Sequence, residues 1–243
     1  MRWLEVTLQA PMMSFGAINV DRFAPTGRFP SKSMIVGMIG AALGLERSNV
    51  KALQDLQDKI IFACALEEEN GILRDMQNAK LAVEKMWTTI GSPVSRDGGD
   101  ATYERSVRRT KDYLQDARLR LIIGFKDGSS FTLEEIAEAF RRPVYPISIG
   151  RRTCLPSAPM VPPSNESCIL EADTAYEALN AIVEAGVPAR WPLGQGPDDT
   201  AAVSRVVSDP GLRNWKSGMH KGFENLVEGV SGNAEVEVLE AEF

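Results

Sequence analysis

Residues 3–9 alternate in polarity. Leu4, Val6 and Leu8 fall on one side and Glu5, Thr7 and Gln9 on the other, the period-two pattern of a half-buried strand. A loop rich in Pro, Gly and Arg follows, from Pro11 to Pro30. The chain then runs apolar all round from Ser33 to Leu43 and stops at Gly44, which predicts a helix ended by a left-handed glycine. Gly37 and Gly40 inside it would each cost an exposed helix about 1 kcal/mol. Their expected use is close packing of the helix backbone against a sheet. Ser48 stands where it can cap a short second helix with Val50, Leu53 and Leu56 on its inner face.

Ile60–Leu66 is a continuous apolar run, read as a buried strand. The stretch from Asn78 to Lys111 has no core period, holds SRDGGD at 95–100 and ends in ERSVRRTK, and reads as a long protruding hairpin or loop. Alternation returns over Arg118–Phe125, with Leu119, Leu121, Ile123 and Phe125 inward. Thr132 and Glu135 have capping-box spacing, so a helix is expected from there to about Arg142, ended by Pro143. Val144–Ile149 is the next expected strand. The order strand, helix, strand, long insertion, strand, helix, strand is that of an α+β, ferredoxin-like (RRM-like) βαββαβ core. The expected organisation is a core over 1–155, an insertion at about 78–112, and a smaller segment over 156–243. Pro156, Pro159, Pro162 and Pro163 open that segment as a linker or strap. Glu171–Ala185 reads as helical and the remainder as turn-rich, ending in an acidic alternating stretch from Glu235 to Glu242.

Composition adds an asymmetry. The net charge is −6, yet residues 1–155 carry 22 Lys+Arg against 19 Asp+Glu, while 156–243 carry 5 against 14. Any polyanion would have to be held by local basic clusters. The three cysteines, Cys64, Cys154 and Cys168, are odd in number and form no CxxC pair, which argues against a disulfide framework and a zinc site. A reducing cytoplasm is the expected compartment. The opening residues lack a basic region followed by a long apolar run, so no signal peptide is expected. Met34–Leu45 is too short to span a bilayer, so no membrane partner is expected either.

Three basic clusters are candidates for chemistry. Arg22, Arg28 and Lys32 precede a helix start, with Ser31 and Ser33 as hydroxyl donors and Gly27 permitting close approach. Such a start can bind phosphate, or it is a solvated basic loop with Ser33 as an ordinary cap. Arg105, Arg108, Arg109 and Lys111 lie where the insertion ends, and Glu104 and Asp112 could simply balance them. Arg151 and Arg152 follow the last expected strand, next to Gly150. The segment GRFPSKS approaches a P-loop but carries Thr26 and Ser31 where that motif needs glycines, so nucleotide hydrolysis is not expected. His220 is the lone histidine and sits in a polar stretch far from the arginines. Glu67, Glu68 and Glu69 read as a solvated turn. No nucleophile elbow, HExxH or dinucleotide fingerprint is present, and neither a cofactor, a metal nor a small-molecule substrate is expected.

The runs LQAPMMSFG at 8–16, RFAPTGRFPSKSMIVGMIGAALGLER at 22–47 and RPVYPISIGRRTCLPSAP at 142–159 together resemble the CasD family, the fifth Cas family of the RAMP superfamily. SVRRTKDYLQDARLRLIIG between them resembles the same family's return from its thumb into the sheet. The resemblance covers roughly residues 1–160. It implies a ferredoxin-like core with a β-hairpin thumb, in a type I-E-like CRISPR Cascade complex for antiviral defence. It further implies that the chain caps the 5′ handle of the guide crRNA and abuts the backbone subunits and the large subunit, with target DNA met only indirectly. By the same resemblance, Met12, Ser14, Arg22, Arg28, Ser31, Lys32 and Ser33 lie along the handle-binding surface. Arg105, Arg108 and Arg109 belong to the thumb and its base, and Tyr145, Arg151 and Arg152 flank the same face. Phe15 stands where the family often has Trp. The expectation is a non-catalytic RNA-binding subunit. The alternatives are a metal-independent endoribonuclease acting on precursor crRNA through His220 with Tyr113 or Lys111, and an adaptor that mainly bridges protein subunits through Met12, Met13 and the acidic tail.

Overall fold

The computed structural model of the chain describes residues 1–17, 21–79 and 107–232. The first alternating run is strand β1 (Arg2–Met13), and the second is part of a 19-residue strand, β5 (Val107–Phe125). The two pair antiparallel, setting Leu4 against Ile123 and Leu8 against Leu119. The apolar run at 60–66 is β3 (Ile60–Glu68), antiparallel on β5's other edge. Its continuous hydrophobicity has a cause. Ile60, Phe62, Cys64 and Leu66 face one core while Ile61, Ala63 and Ala65 face another. A strand covered on both faces has no solvent side to make polar.

Helices α1 (Lys32–Leu43), α2 (Val50–Lys59) and α3 (Leu133–Arg141) contribute to the first core, placing Ile35, Ile39, Leu56, Ile136 and Phe140 on it. Each such fully buried side chain contributes about 2 kcal/mol. The Thr132 and Glu135 capping box that starts α3 is formed as the spacing predicts. Gly40 packs against α2 and not against the sheet: a Cβ there would meet Leu53 at 2.8 Å. The residue capping α2 is Asn49, with no side-chain bond, instead of Ser48. On the opposite face lies α4 (Ala175–Asn180), whose Ala175, Ala178 and Leu179 join Trp3, Ile61, Ala63 and Ala65. It is shorter than the helix expected over 171–185, because the chain beyond Asn180 is drawn back to the sheet. There Gly186 N–H and the Ser231 hydroxyl bridge to the Ser231 and Glu184 carbonyls, at 2.8 and 2.5 Å.

Val144–Ile149 is not a strand, which corrects the sequence reading. The donors that would enter a ladder satisfy a helix end instead. Val144 and Tyr145 N–H donate to the Ala42 and Ala41 carbonyls of α1 at 3.0 and 3.1 Å. The position beside β1 is taken by β6 (Ile169–Glu171), antiparallel to it. Between these segments the proline strap runs along β1's edge. Ser157 N–H donates to Gln9, while Thr7 and Glu5 N–H donate to Met160 and Cys168, at 2.7–2.8 Å. An edge that would otherwise expose unpaired amides is thereby covered.

The C-terminal segment is not merely turn-rich. It supplies β7 (Pro188–Pro192), β8 (Val203–Arg213) and β9 (His220–Val230), which extend the same sheet in the order β6-β1-β5-β3-β7-β9-β8. Two further strands pair with β5 off that path: β2 (Phe23–Ala24), parallel, and β4 (Ile72–Ala79), antiparallel. The β4–β5 arm starts at Ile72, six residues before the expected insertion, and its middle and the acidic stretch 235–242 lie outside the described residues. No helix among the described residues is long and apolar enough to cross a membrane.

An ionic cluster ties the last three strands together. Arg190 of β7 reaches Glu228 of β9 and, at 3.6 Å, Asp209 of β8, and Arg205 reaches Glu228 at 2.7 Å. Burial pushes the Glu228 carboxyl up, but hydrogen bonds from Arg190 and Arg205 more than offset it and hold it below the usual carboxylate range. A depressed carboxylate stabilises the fold above its unfolded pKa, about 4.3, and loses that contribution as pH falls through the lower folded value. Acid unfolding is therefore expected to steepen below about pH 4, and Glu228→Gln should flatten that dependence. At neutral pH the same change should cost about 3 kcal/mol in urea unfolding, because it leaves Arg190 short of a partner. An unchanged pH profile in the variant would refute the assignment.

Candidate nucleic-acid interface

The basic loop before α1 is organised by that helix. The Ser31 hydroxyl caps it, accepting the Met34 N–H at 3.4 Å. Lys32, the residue a phosphate reading would favour most, is 6% exposed and paired with Glu224 of β9. Arg28 reaches back to Glu69 at 2.7 Å, and Arg22 lies 4.0 Å from Asp21. Met12 is half-buried against the main core.

At the base of the β4–β5 arm, the half-exposed Arg74 grips Asp112 of β5 through two bonds of 2.9 and 3.1 Å. That hydrogen bonding holds the Asp112 carboxyl below its ordinary range. Arg151 comes in from the other side. Its guanidinium donates to the Asp112 and Ala24 carbonyls, both at 2.9 Å, and lies 4.7 Å over the Tyr113 ring. Arg151 thus ties β2 to β5. Arg152 beside it is exposed. Further up the arm, Arg108 and Arg109 are exposed opposite Asn78 and Gln77, and Lys111 donates to Gln77 at 2.9 Å. Arg105 lies outside the described residues.

Between these elements runs a groove of about 570 Å³. One wall is the loop Ser14–Ala17 with Ala24, and the floor is the exposed face of α1 at Ser33, Met34, Gly37 and Ala41. The opposite wall is Pro146, Ser148, Gly150 and Arg151, and the end is closed by Arg213 and Trp215 of the β8–β9 connection. A smaller compartment of about 290 Å³ continues from it past Gly40 and Ala41 to Tyr145 and Arg47. Among the described residues neither lining contains a carboxylate, although the chain has 33 acidic residues. Gly150 lets the two walls approach: its φ is +94°, and a Cβ there would meet the Ser14 carbonyl oxygen at 1.8 Å. Gly37 serves the same end, lying under the Trp215 ring at 3.8 Å from where its Cβ would be.

Of the residues singled out from sequence, Ser14, Ser33 and Arg151 line the groove, and Tyr145 lines its continuation. Ser31, Lys32, Arg22 and Arg28 are engaged in capping or ion pairing. Among the nuclease candidates, Tyr113 and Lys111 share β5 while His220 stands on another strand. Tyr113 is buried under Arg151, Lys111 is on the arm, and His220 begins β9, with Nδ1 3.1 Å from the Leu212 carbonyl.

The sequence reading missed Arg47, Arg213, Trp215 and Gln57, which anchors Arg213 and Trp215. Gln57 is 2% exposed on α2, where its amide oxygen accepts from the Arg213 N–H and the Trp215 Nε1–H, both at 3.1 Å. Its amide nitrogen donates to the Arg213 carbonyl at 2.8 Å. The Arg213 guanidinium then stacks 5.1 Å over Trp215. The signal was an arginine and a tryptophan two residues apart, the basic–aromatic interleaving of single-strand binders, in a stretch whose strands sequence periodicity did not reveal.

These observations define a mixed α/β protein on one large antiparallel sheet, with a cationic groove beside a basic arm. A family model described as CRISPR-associated protein (Cas_Cas5) matches residues 3–225, and the chain belongs to that family. The resemblance read from residues 8–16, 22–47 and 142–159 is thereby shown at the level of the family. A relative named CRISPR system Cascade subunit CasD, from Escherichia coli (strain K12), is 28% identical over 152 residues, 63% of this chain. The match spans 66% of that relative's length, just under two thirds. A chain of a CRISPR RNA-guided surveillance complex shares the fold with a TM-score of 0.64 at 19% identity, over 94% of this chain and 90% of that one. A crystal structure described as a Cas protein matches with a TM-score of 0.58 at 21% identity, over 94% of each chain.

The wall contact at Gly150 has a measurable consequence. Gly150→Ala places a methyl group on the Ser14 carbonyl and forces a positive φ on a side-chain residue, so it should cost about 3 kcal/mol of stability in chemical denaturation. A loss below about 0.5 kcal/mol, the range of a neutral surface change, would mean the walls do not meet there.

Proposed function

We propose that this chain is the RNA-binding subunit of a type I-E-like Cascade complex that caps the 5′ handle of the guide crRNA without cutting it. The observation that carries the reading is the groove: serine hydroxyls, a small-residue helix face and arginines, with no carboxylate among the described residues of its walls. Such a channel suits a splayed single strand. Phosphates meet the guanidinium groups while bases lie on the flat, uncharged floor. The exposed Arg108 and Arg109 further up the arm and Arg152 beside the groove extend the cationic track. The arm itself is read as the family's thumb. Strands β6-β1-β5-β3, all antiparallel with α1 and α3 on one face, support a ferredoxin-like core in which β6 is the fourth strand.

The same complex, working in the cytoplasm, would supply protein partners. Met76 on the arm and Met219 and Phe223 on the β8–β9 hairpin are 65–77% exposed, and such apolar side chains suit contacts with the backbone and large subunits. Target DNA is then met only through those partners and the guide.

The test uses the full chain and a fluorescent single-stranded RNA carrying the repeat-derived handle. Replacing Arg108, Arg109 and Arg152 together by Gln should weaken binding and lower the slope of log K against log salt by about 2, at about 0.7 per lost phosphate contact. Unchanged affinity and slope would sink the binding surface proposed here. Incubation with a repeat-containing precursor, without metal, should leave the transcript intact. Cleavage that His220→Ala abolishes would replace this reading with that of a nuclease.

A further inference from the structure

We infer that the smaller compartment at the far end of the groove is a single-nucleotide subsite, in which Arg47 and Arg213 hold a phosphodiester and Tyr145 carries the adjoining base. The inference rests on the groove reading above and deepens it, because it says where the strand goes after Arg151.

Two guanidinium groups converge there. A Cβ on Gly218 would meet Arg47 at 2.9 Å and Arg213 at 3.3 Å, so both side chains end against the same glycine. Like charges brought together without an acidic partner repel, and the compartment's lining contains no carboxylate among the described residues. The Arg213 Nε is buried and has no hydrogen-bond partner among the described residues. A phosphate would meet the terminal nitrogens of the two groups, supplying the countercharge and the acceptor oxygens that guanidinium groups bind best.

The geometry is built, not incidental. Gln57 fixes the backbone of Arg213 and the indole of Trp215 from beneath, and the Arg213 guanidinium is stacked on that indole. Tyr145 is 43% exposed and lines the same compartment, with its backbone pinned to the Ala41 carbonyl. Its ring is therefore an available flat surface on a fixed support, which suits base stacking. Gly218 has φ +73°, so any side chain there would be strained as well as placed between the two guanidinium groups.

The experiment is a titration of the full chain with the same handle-bearing RNA, at several salt concentrations. Arg47 is exposed, so Arg47→Gln leaves the fold intact and avoids the packing loss that Arg213→Gln would bring. Arg47→Gln should weaken binding about tenfold at low salt, the effect of one charged hydrogen bond, and reduce the salt slope by about 0.7. Tyr145→Ala should weaken binding with the slope unchanged, because stacking releases no counterions. Should Arg47→Gln bind as wild type while the Arg108, Arg109 and Arg152 variant is weakened, the subsite is overturned and the groove reading survives. A weaker Arg47→Gln with an unchanged slope overturns the phosphate assignment. An unaltered chain that binds no RNA overturns the groove reading, and this one with it.

Discussion

Strand β5 has to satisfy neighbours on one edge or both along nearly its whole length, and the rest of the molecule is arranged around that requirement. From Arg118 to Ile123 it lies between β1 and β3, and from Val107 to Leu114 it pairs with β4. One continuous strand therefore belongs to both the core sheet and the arm. The change of partners falls at Asp116, whose φ of +44° is rare for a residue with a side chain. One residue before that point, the Asn70 N–H donates to the Gln115 carbonyl and the Gln115 N–H donates to the Gly71 carbonyl, so the turn leaving β3 is fastened where β5 changes partners. The direction of the arm is inherited from the sheet, and the groove at its base is positioned by the same strand.

The acidic C-terminal half makes physical sense in this arrangement. Glu224 neutralises the buried Lys32, Glu228 and Asp209 neutralise Arg190, and Arg205 shares Glu228. Arg190 also lies 5.0 Å over the Phe29 ring, in the basic loop before α1. Much of the negative charge of β8 and β9 is thus directed into the sheet and toward the start of α1. The carboxylates hold the C-terminal strands to the core, and the groove walls are left with cations and hydroxyls. A net charge of −6 and a surface fit for a polyanion coexist in part because the acids of β8 and β9 are internally paired.

Local rules were legible where periodicity or a cap carried the information. The alternation of Leu4, Val6 and Leu8, the Gly44 helix end and the Thr132 capping box all appear where the residues indicate. Val144–Ile149 misled because its apolar residues look like a strand, while tertiary contacts give its amides to the end of α1. Ile147 and Ile149 are buried as a strand's would be, so hydrophobicity alone could not separate the cases. Strands β7 to β9 were hidden for another reason. β8 carries register irregularities and is largely exposed, which blurs the period of two. The groove was half legible. Ser14, Ser33 and Arg151 come from segments that resemble a known family, but Arg213 and Trp215 are held together by Gln57, a buried hub with no sequence signature.

Arg151 and Arg152 illustrate why basic clusters cannot be read as units. They are neighbours in sequence and would be counted together in any charge tally. Arg151 has both its terminal nitrogens on backbone carbonyls of β2 and β5 and its face on Tyr113, so part of its hydrogen-bonding capacity already serves the scaffold. What it can still offer a ligand is its net charge, which carbonyl acceptors do not cancel. Arg152 is exposed and can meet a phosphate with its full fork. The same contrast separates Lys32, neutralised by Glu224, from Arg47, which ends against Gly218 beside a second guanidinium. What distinguishes a binding cation from a structural one is whether a carboxylate has already met it, and for Lys32 that is decided by a strand from the far end of the chain.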